Sequence, residues 1–290
     1  MTAASILLGV VLTAGAPLLV STDELGGLKD AIVVDTRSND DFVAGHLPCA
    51  ISLPADTLSE KRGEVQGLLK PLDQLNQLVG DAGLDPNKHI VVYSDMAEAE
   101  KRVKATRLFW ILQYMGFPRV SLLDGGIGKW KSEGRELATG EVAAEKATVQ
   151  GLEAKTELLV AHGDVSQMLA GKSGVVMDMR SQSFFTGCKF KDYVAREGHI
   201  TGARNLAEGD LFTGPDYVFK TPEEIQALLG QKGVEKDTRL ITYCNSGQSA
   251  TVGYFGALLT GKSDVAVYDG SMAEWSRLAD APISCKPDLP

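Results

Sequence analysis

Apolar positions along the chain gather into short β-branched runs, each followed by a segment of helical period, and the order of these segments occurs twice. Ile32-Val33-Val34-Asp35-Thr36-Arg37 is matched by Val175-Val176-Met177-Asp178-Met179-Arg180, and Gly45-His46 by Gly198-His199. Continuous apolar runs of this length read as strands buried on both faces. Residues 71–83 and 222–233 are Pro-led, apolar-periodic segments that end in glycine. Thr221 with Glu224 is a capping box, and Pro222 occupies the first helical position. The repeat continues with Ile90-Val91-Val92-Tyr93-Ser94 against Leu240-Ile241-Thr242-Tyr243-Cys244, and each run leads into a helix. It closes with Leu123-Asp124-Gly125-Gly126 and Trp130 against Tyr268-Asp269-Gly270-Ser271 and Trp275. Strands alternating with helices in both halves predict an α/β fold of two tandem domains, each a parallel sheet flanked by helices. The expected boundaries are 17–140 and 158–290, joined by a polar linker over 141–157.

Ahead of the repeat, residues 6–20 are nearly all apolar, too short and too broken by Pro17 to span a bilayer. Ala14-Gly15-Ala16 has the form of an export cleavage site, so residues 1–16 are expected to be an export signal and the protein periplasmic or otherwise exported. The alternative is a cytoplasmic protein whose first buried strand runs into a helix capped by Ser21 and Glu24. A net charge of −9 without a local Lys/Arg run argues against nucleic acid as a partner. The four cysteines are too few and too scattered for a disulfide scaffold, and none lies in a CxxC pair suited to zinc. No metal site is expected. Cys49 follows Pro48 in an apolar run and reads as buried, whereas Cys188 and Cys285 read as exposed, where export would allow them to pair.

In an open parallel sheet, ligands bind beyond the carboxyl ends of the strands, which directs attention to Tyr243-Cys244-Asn245-Ser246-Gly247-Gln248-Ser249-Ala250. Gly247 lets the backbone turn, and a helix follows. A cysteine at the mouth of such a loop faces backbone N–H groups and a helix N-terminus, which favour the nucleophilic thiolate. The first half has Ser94, Asp95, Met96 and Ala97 at the matching positions, having neither thiol nor glycine. Asp178 and Arg180 read as a buried brace for the loop rather than as reactants, because Asp35 and Arg37 persist in the half without the cysteine. The same reasoning places Trp130 and Trp275 in the core, and gives His46 and His199 the structural role of capping a loop carbonyl. A cysteine phosphatase would need an arginine six residues after Cys244 to clamp phosphate, and that residue is Ala250.

The paired D-x-R, GH, strand–Tyr–loop and DG-x4-W motifs are similar to those of the tandem-domain rhodanese family of sulfurtransferases. The resemblance runs from about Pro17 to the end. It implies a catalytically silent first domain and a second domain in which Cys244 becomes a persulfide, with Asn245, Ser246, Gly247, Gln248 and Ser249 binding substrate. No cofactor is implied. The partners implied are a small sulfur donor and a thiol or cyanide acceptor, and a monomer is expected. Thiosulfate is the expected donor; the alternatives are 3-mercaptopyruvate and a non-enzymatic persulfide carrier. Two departures bear on the donor: the loop carries no Arg or Lys, and Phe184 stands where relatives have a substrate-binding Arg. Lys189, Lys191, Arg196 and Arg204 are candidates for the missing cation. By resemblance to mercaptopyruvate enzymes, which have a serine where Ser246 stands, His46 and Ser246 would form a proton relay.

Overall fold

The computed structural model describes residues 15–285; the expected export signal lies almost wholly outside them. The first half runs β1 (Leu19–Val20), α1 (Thr22–Gly27), β2 (Ala31–Asp35), α2 (Asn39–Ala44), β3 (Ala50–Ser52), the hairpin β4 (Ser59–Arg62) and β5 (Val65–Leu69), α3 (Leu72–Asp81), β6 (His89–Tyr93), α4 (Ala99–Tyr114), β7 (Val120–Leu123) and α5 (Gly126–Ser132). The second runs β8 (Leu159–Val160), α6 (His162–Gly171), β9 (Gly174–Asp178), α7 (Gln182–Phe185), β10 (His199–Ile200), β11 (Arg204–Asn205), the hairpin β12 (Phe212–Thr213) and β13 (Val218–Phe219), α8 (Pro222–Gln231), β14 (Arg239–Tyr243), α9 (Gln248–Leu259), β15 (Val265–Tyr268), α10 (Ser271–Trp275) and β16 (Ile283–Ser284).

Each half folds around a five-stranded parallel sheet, ordered β1-β7-β6-β2-β3 in the first and, with the edges exchanged in the naming, β11-β9-β14-β15-β8 in the second. The central strands β6 and β14 are buried after their first residue, which is why they carry continuous apolar runs. The cap boxes predicted from sequence form: Ser21 and Thr221 accept from the N–H of Glu24 and Glu224, whose carboxylates accept in return. Among the described residues no helix is long and apolar enough to cross a membrane.

The two halves share their largest apolar cluster, which joins Leu108, Phe109 and Leu112 of α4 to Ala250, Val252 and Phe255 of α9. At the centre of this contact the buried hydroxyls of Thr106 and Thr251 hydrogen-bond at 2.9 Å, and Phe109 meets Phe255 edge to face at 4.8 Å. The linker is not a loose tether. It packs back along the first half, with Ala147 N–H donating to Gly80 (2.9 Å) and Lys155 N–H to Tyr114 (2.8 Å). Gly116 is required beneath it, because a Cβ there would lie 2.4 Å from the Glu153 carbonyl oxygen, at a φ of +90°.

Two burial expectations need correction. Cys49 is exposed: at φ +63° it sits in the turn before β3, and its neighbours Leu47 and Ala50 occupy the buried places. Trp275 is core, but Trp130 is only half-buried, with Arg135 stacked over its ring and its N–H donating to Glu136 at the surface. All four cysteines are free, and Cys188 and Cys285 are exposed as expected.

Asp124, at the end of β7, reaches across to accept the Phe219 N–H at 3.0 Å. Burial pushes its carboxyl above the ordinary range, opposed by the Phe219 N–H, Lys129 and the Gly125 N–H. For a carboxyl raised on folding, the stability it contributes is present below its ordinary pKa and is lost as pH rises through the lifted value. Asp124→Asn, which keeps an oxygen for Phe219, is therefore expected to gain in Tm relative to the parent as the pH goes from acid to neutral. A variant that loses ground over that range would show that the ionised carboxylate is a net stabiliser.

Candidate active site

Tyr243 ends β14, held between β9 and β15, and the chain leaves the sheet at Cys244, whose exposure is 3%. The loop turns through Gly247 at φ +78°, where a Cβ would lie 2.4 Å from Asp269 Oδ1, and α9 starts at Gln248. Only glycine fits there. A helix leaves its first N–H groups without intrahelical partners, so Gln248 and Ser249 present the positive end of α9 beside the thiol.

A serine not singled out from the sequence holds the loop from behind. Ser271 Oγ accepts from the N–H groups of Cys244 (3.0 Å) and Gly247 (3.1 Å) and donates to the Tyr268 carbonyl (2.8 Å). The carbonyls of Cys244 and Asn245 accept in turn from the N–H groups of Met272 and Ala273. To do this Ser271 adopts φ +49°, in the region favoured by glycine, and its counterpart in the first half is Gly126 at φ +54°. A serine replacing a turn glycine within a repeat was the available sequence signal.

The expected brace is present in both halves. Arg180 clamps Asp178 through Nε and Nη2, donates to the Gly198 carbonyl at 2.8 Å, and turns Nη1 to Asn245 Oδ1 at 3.1 Å. Arg37 repeats the clamp on Asp35 and donates to the Gly45 carbonyl. Burial works against the Arg180 charge, but the Asp178 carboxylate more than offsets it and holds the pKa above the ordinary range. The histidines of the GH motifs cap carbonyls: His46 Nδ1 bonds Phe42 O at 2.8 Å and His199 Nδ1 bonds Phe185 O at 2.7 Å, each ring stacked on that phenylalanine. His46 is buried in the first half and does not line the cleft at Cys244. The structure does not bring it to Ser246, so the relay expected between them has no support in the geometry.

The Cys244 cleft, of about 390 Å³, lies between the halves, with one wall formed by Glu100, Val103 and Lys104 of α4. Asn245, Ser246, Gln248 and Ser249 line it, with Gln248 tied to Asp56 at 3.3 Å, whereas Gly247, expected with them to bind substrate, is buried and does not line it. Phe184 also lines it. Of the four candidate cations only Lys191 does so; Arg196 is spent on the carbonyls of Ser276, Leu278 and Ala281, and Arg204 on that of Lys232. Lys104 is paired with Asp56 and Glu208 with Arg102, which leaves Lys191 and Glu100 as cleft charges without an ion pair among the described residues. Tyr193, also unforeseen, lines the cleft with its phenol near Ser246 and Cys244. Burial raises its pKa, with the Ser246 hydrogen bond working the other way and the Cys244 charge adding to the rise.

Two parallel sheets of one order, a cysteine loop on the second and a D-x-R brace under each are the architecture of a tandem-domain α/β protein. The family model described as Rhodanese-like domain matches residues 21–133 and 161–278, and the chain belongs to that family. It is 30% identical over 236 residues to 3-mercaptopyruvate sulfurtransferase of Mus musculus, covering 81% of this chain and 78% of that one. It is equally 30% identical, over 245 residues, to thiosulfate sulfurtransferase of the same species, covering 84% and 81%. The 3-mercaptopyruvate sulfurtransferase of Escherichia coli (strain K12) is 26% identical over 86% of both chains. Among solved structures, an EanB variant in complex with ergothioneine superposes with a TM-score of 0.81 at 22% identity, covering 92% of this chain and 70% of that one.

Removing the Ser271 hydroxyl leaves two buried N–H groups without their acceptor, at about 1–3 kcal/mol each. Ser271→Ala is expected to lower Tm accordingly. A Tm equal to the parent's would mean that the loop finds other partners.

Proposed function

We propose that the protein is a sulfurtransferase that carries sulfur as a persulfide on Cys244. The observation that carries the proposal is the Cys244 loop itself: a buried thiol at a strand end, with a helix N-terminus beside it and its backbone fixed from behind. The thiolate attacks the donor's transferable sulfur, the bond from that sulfur to the rest of the donor breaks, and its electron pair departs with the leaving group. A thiol or cyanide acceptor then attacks the outer sulfur, and the electron pair of the S–S bond returns to Cys244.

For the donor, 3-mercaptopyruvate is the reading the cleft supports best. Breaking its C–S bond leaves a pyruvate enolate that needs a proton, whereas thiosulfate leaves as sulfite without one. Tyr193, kept protonated by its raised pKa and set near Ser246 and Cys244, is placed to donate that proton, the function first assigned to His46. Lys191 is the cation available to the donor's carboxylate. Thiosulfate remains the second reading, favoured by the same lysine, which supplies the cation that the loop and Phe184 do not.

Intact-mass spectra after exposure to each donor, joined to steady-state turnover, test the assignment. A one-sulfur adduct is expected on the parent and none on Cys244→Ser, which should be inactive; turnover by that variant would sink the site. Tyr193→Phe is expected to lose about a hundredfold in kcat with mercaptopyruvate and little with thiosulfate. Equal losses with both would remove the proton argument.

A further inference from the structure

We infer that Arg107, on the half without the cysteine, is a positioning residue for the Cys244 loop. The inference rests on the reading of Cys244 as the sulfur-carrying residue. Arg107 projects from α4 across the interface and is 1% exposed. Its Nη1 lies 2.6 Å from Asp269 Oδ1 and 3.4 Å from the Gly247 carbonyl oxygen, while Nη2 donates to the Gly67 carbonyl at 3.0 Å. The other oxygen of Asp269 accepts the Leu69 N–H at 2.7 Å. One guanidinium therefore ties the hairpin β4–β5 to both sides of the loop: directly at Gly247, where the chain turns into α9, and through Asp269, two residues before the serine that holds Cys244 N–H.

The repeat supplies an internal control. Thr106 and Thr251 are as far apart in the chain as Asp124 and Asp269, and their hydroxyls meet across the interface, so Val252 stands where Arg107 would recur. Asp124 accepts the Phe219 N–H just as Asp269 accepts that of Leu69, yet has no guanidinium. The Asp124 contact thus forms without a guanidinium on its carboxylate, the buried arginine on that side, Arg102, pairing instead with Glu208 and stacking on Phe212 and Tyr217. The Arg107 charge is costly to bury, and Arg107 Nε has no hydrogen-bond partner among the described residues. It is kept where it faces the loop that has the cysteine.

The test compares Arg107→Met, Arg107→Lys and Asp269→Asn in the full chain. Readouts are Tm, kcat and KM with mercaptopyruvate, and the rate of iodoacetamide alkylation of Cys244 as a function of pH. Arg107→Met is expected to lower kcat about tenfold or more with KM within about twofold, and to move the alkylation profile to higher pH. Arg107→Lys should recover part of both. Asp269→Asn, which retains an acceptor for Leu69 but takes away the carboxylate that anchors the guanidinium, should also lower kcat and keeps the test open if Arg107→Met fails to fold. Unchanged kcat and profile, whether or not Tm falls, would overturn the inference. Cys244→Ser separates the two readings: if it is inactive while the Arg107 variants match the parent, only the positioning role fails, and if it remains active, the reading of Cys244 fails.

Discussion

At the end of the β7 strand and again at the end of β15, an aspartate reaches out of its own half to accept a backbone N–H from the hairpin of the other: Asp124 from Phe219, Asp269 from Leu69. This exchange, with the α4–α9 contact beneath it, fixes how the sheets face each other. A buried carboxylate needs partners that lower the cost of its charge, and a backbone N–H supplies part of that need only if the opposite hairpin is in register. The cleft exists because of this register. Its wall from α4 and its floor from the Cys244 loop belong to different halves, and neither half alone encloses the thiol.

A duplication normally produces two equivalent sites. Here the halves agree in sheet order, in the D-x-R clamp, and in the histidine stacked on phenylalanine. They differ at the strand end, where Ser94 donates to the Lys101 carbonyl and so closes its own loop with a side-chain bond, whereas Cys244 leaves the first turn of α9 facing a cleft. They differ again in charge, since Asp269 has a guanidinium and Asp124 is left to a carboxyl of raised pKa.

The strands, the cap boxes and the brace were legible in the sequence because each is a local pattern: an apolar run, a spacing of three, a D-x-R whose two side chains share one strand end. The cysteine loop was legible through the asymmetry of the repeat. Arg107 and Asp269 were not, because they are 162 positions apart and each looks ordinary in its own segment. Tyr193 lies in a stretch that the first half lacks, so the repeat offered no comparison for it, whereas Lys191 of the same stretch was among the candidate cations. Cys49 was misread because an apolar run signals burial only while the backbone keeps its alternation, and a positive φ interrupts it at that residue. His46 was misplaced for a different reason, since a role taken from a resemblance does not bring a side chain with it.

Chain order gives the interface a further meaning. As the polypeptide is made from its N-terminus, Arg107 and the Leu69 N–H are complete long before the residue that satisfies both, 162 and 200 positions downstream respectively. The first half therefore carries Arg107 unpaired on an open face until β15 has been added and the second sheet is nearly whole. Contacts of such long sequence separation form late, after the entropy of closing the intervening chain has been met. A nascent chain interrupted before Asp269 would hold its first sheet with the interface open to water, so that the addition of β15 and Asp269, rather than the appearance of the cysteine itself, is when the molecule becomes closed.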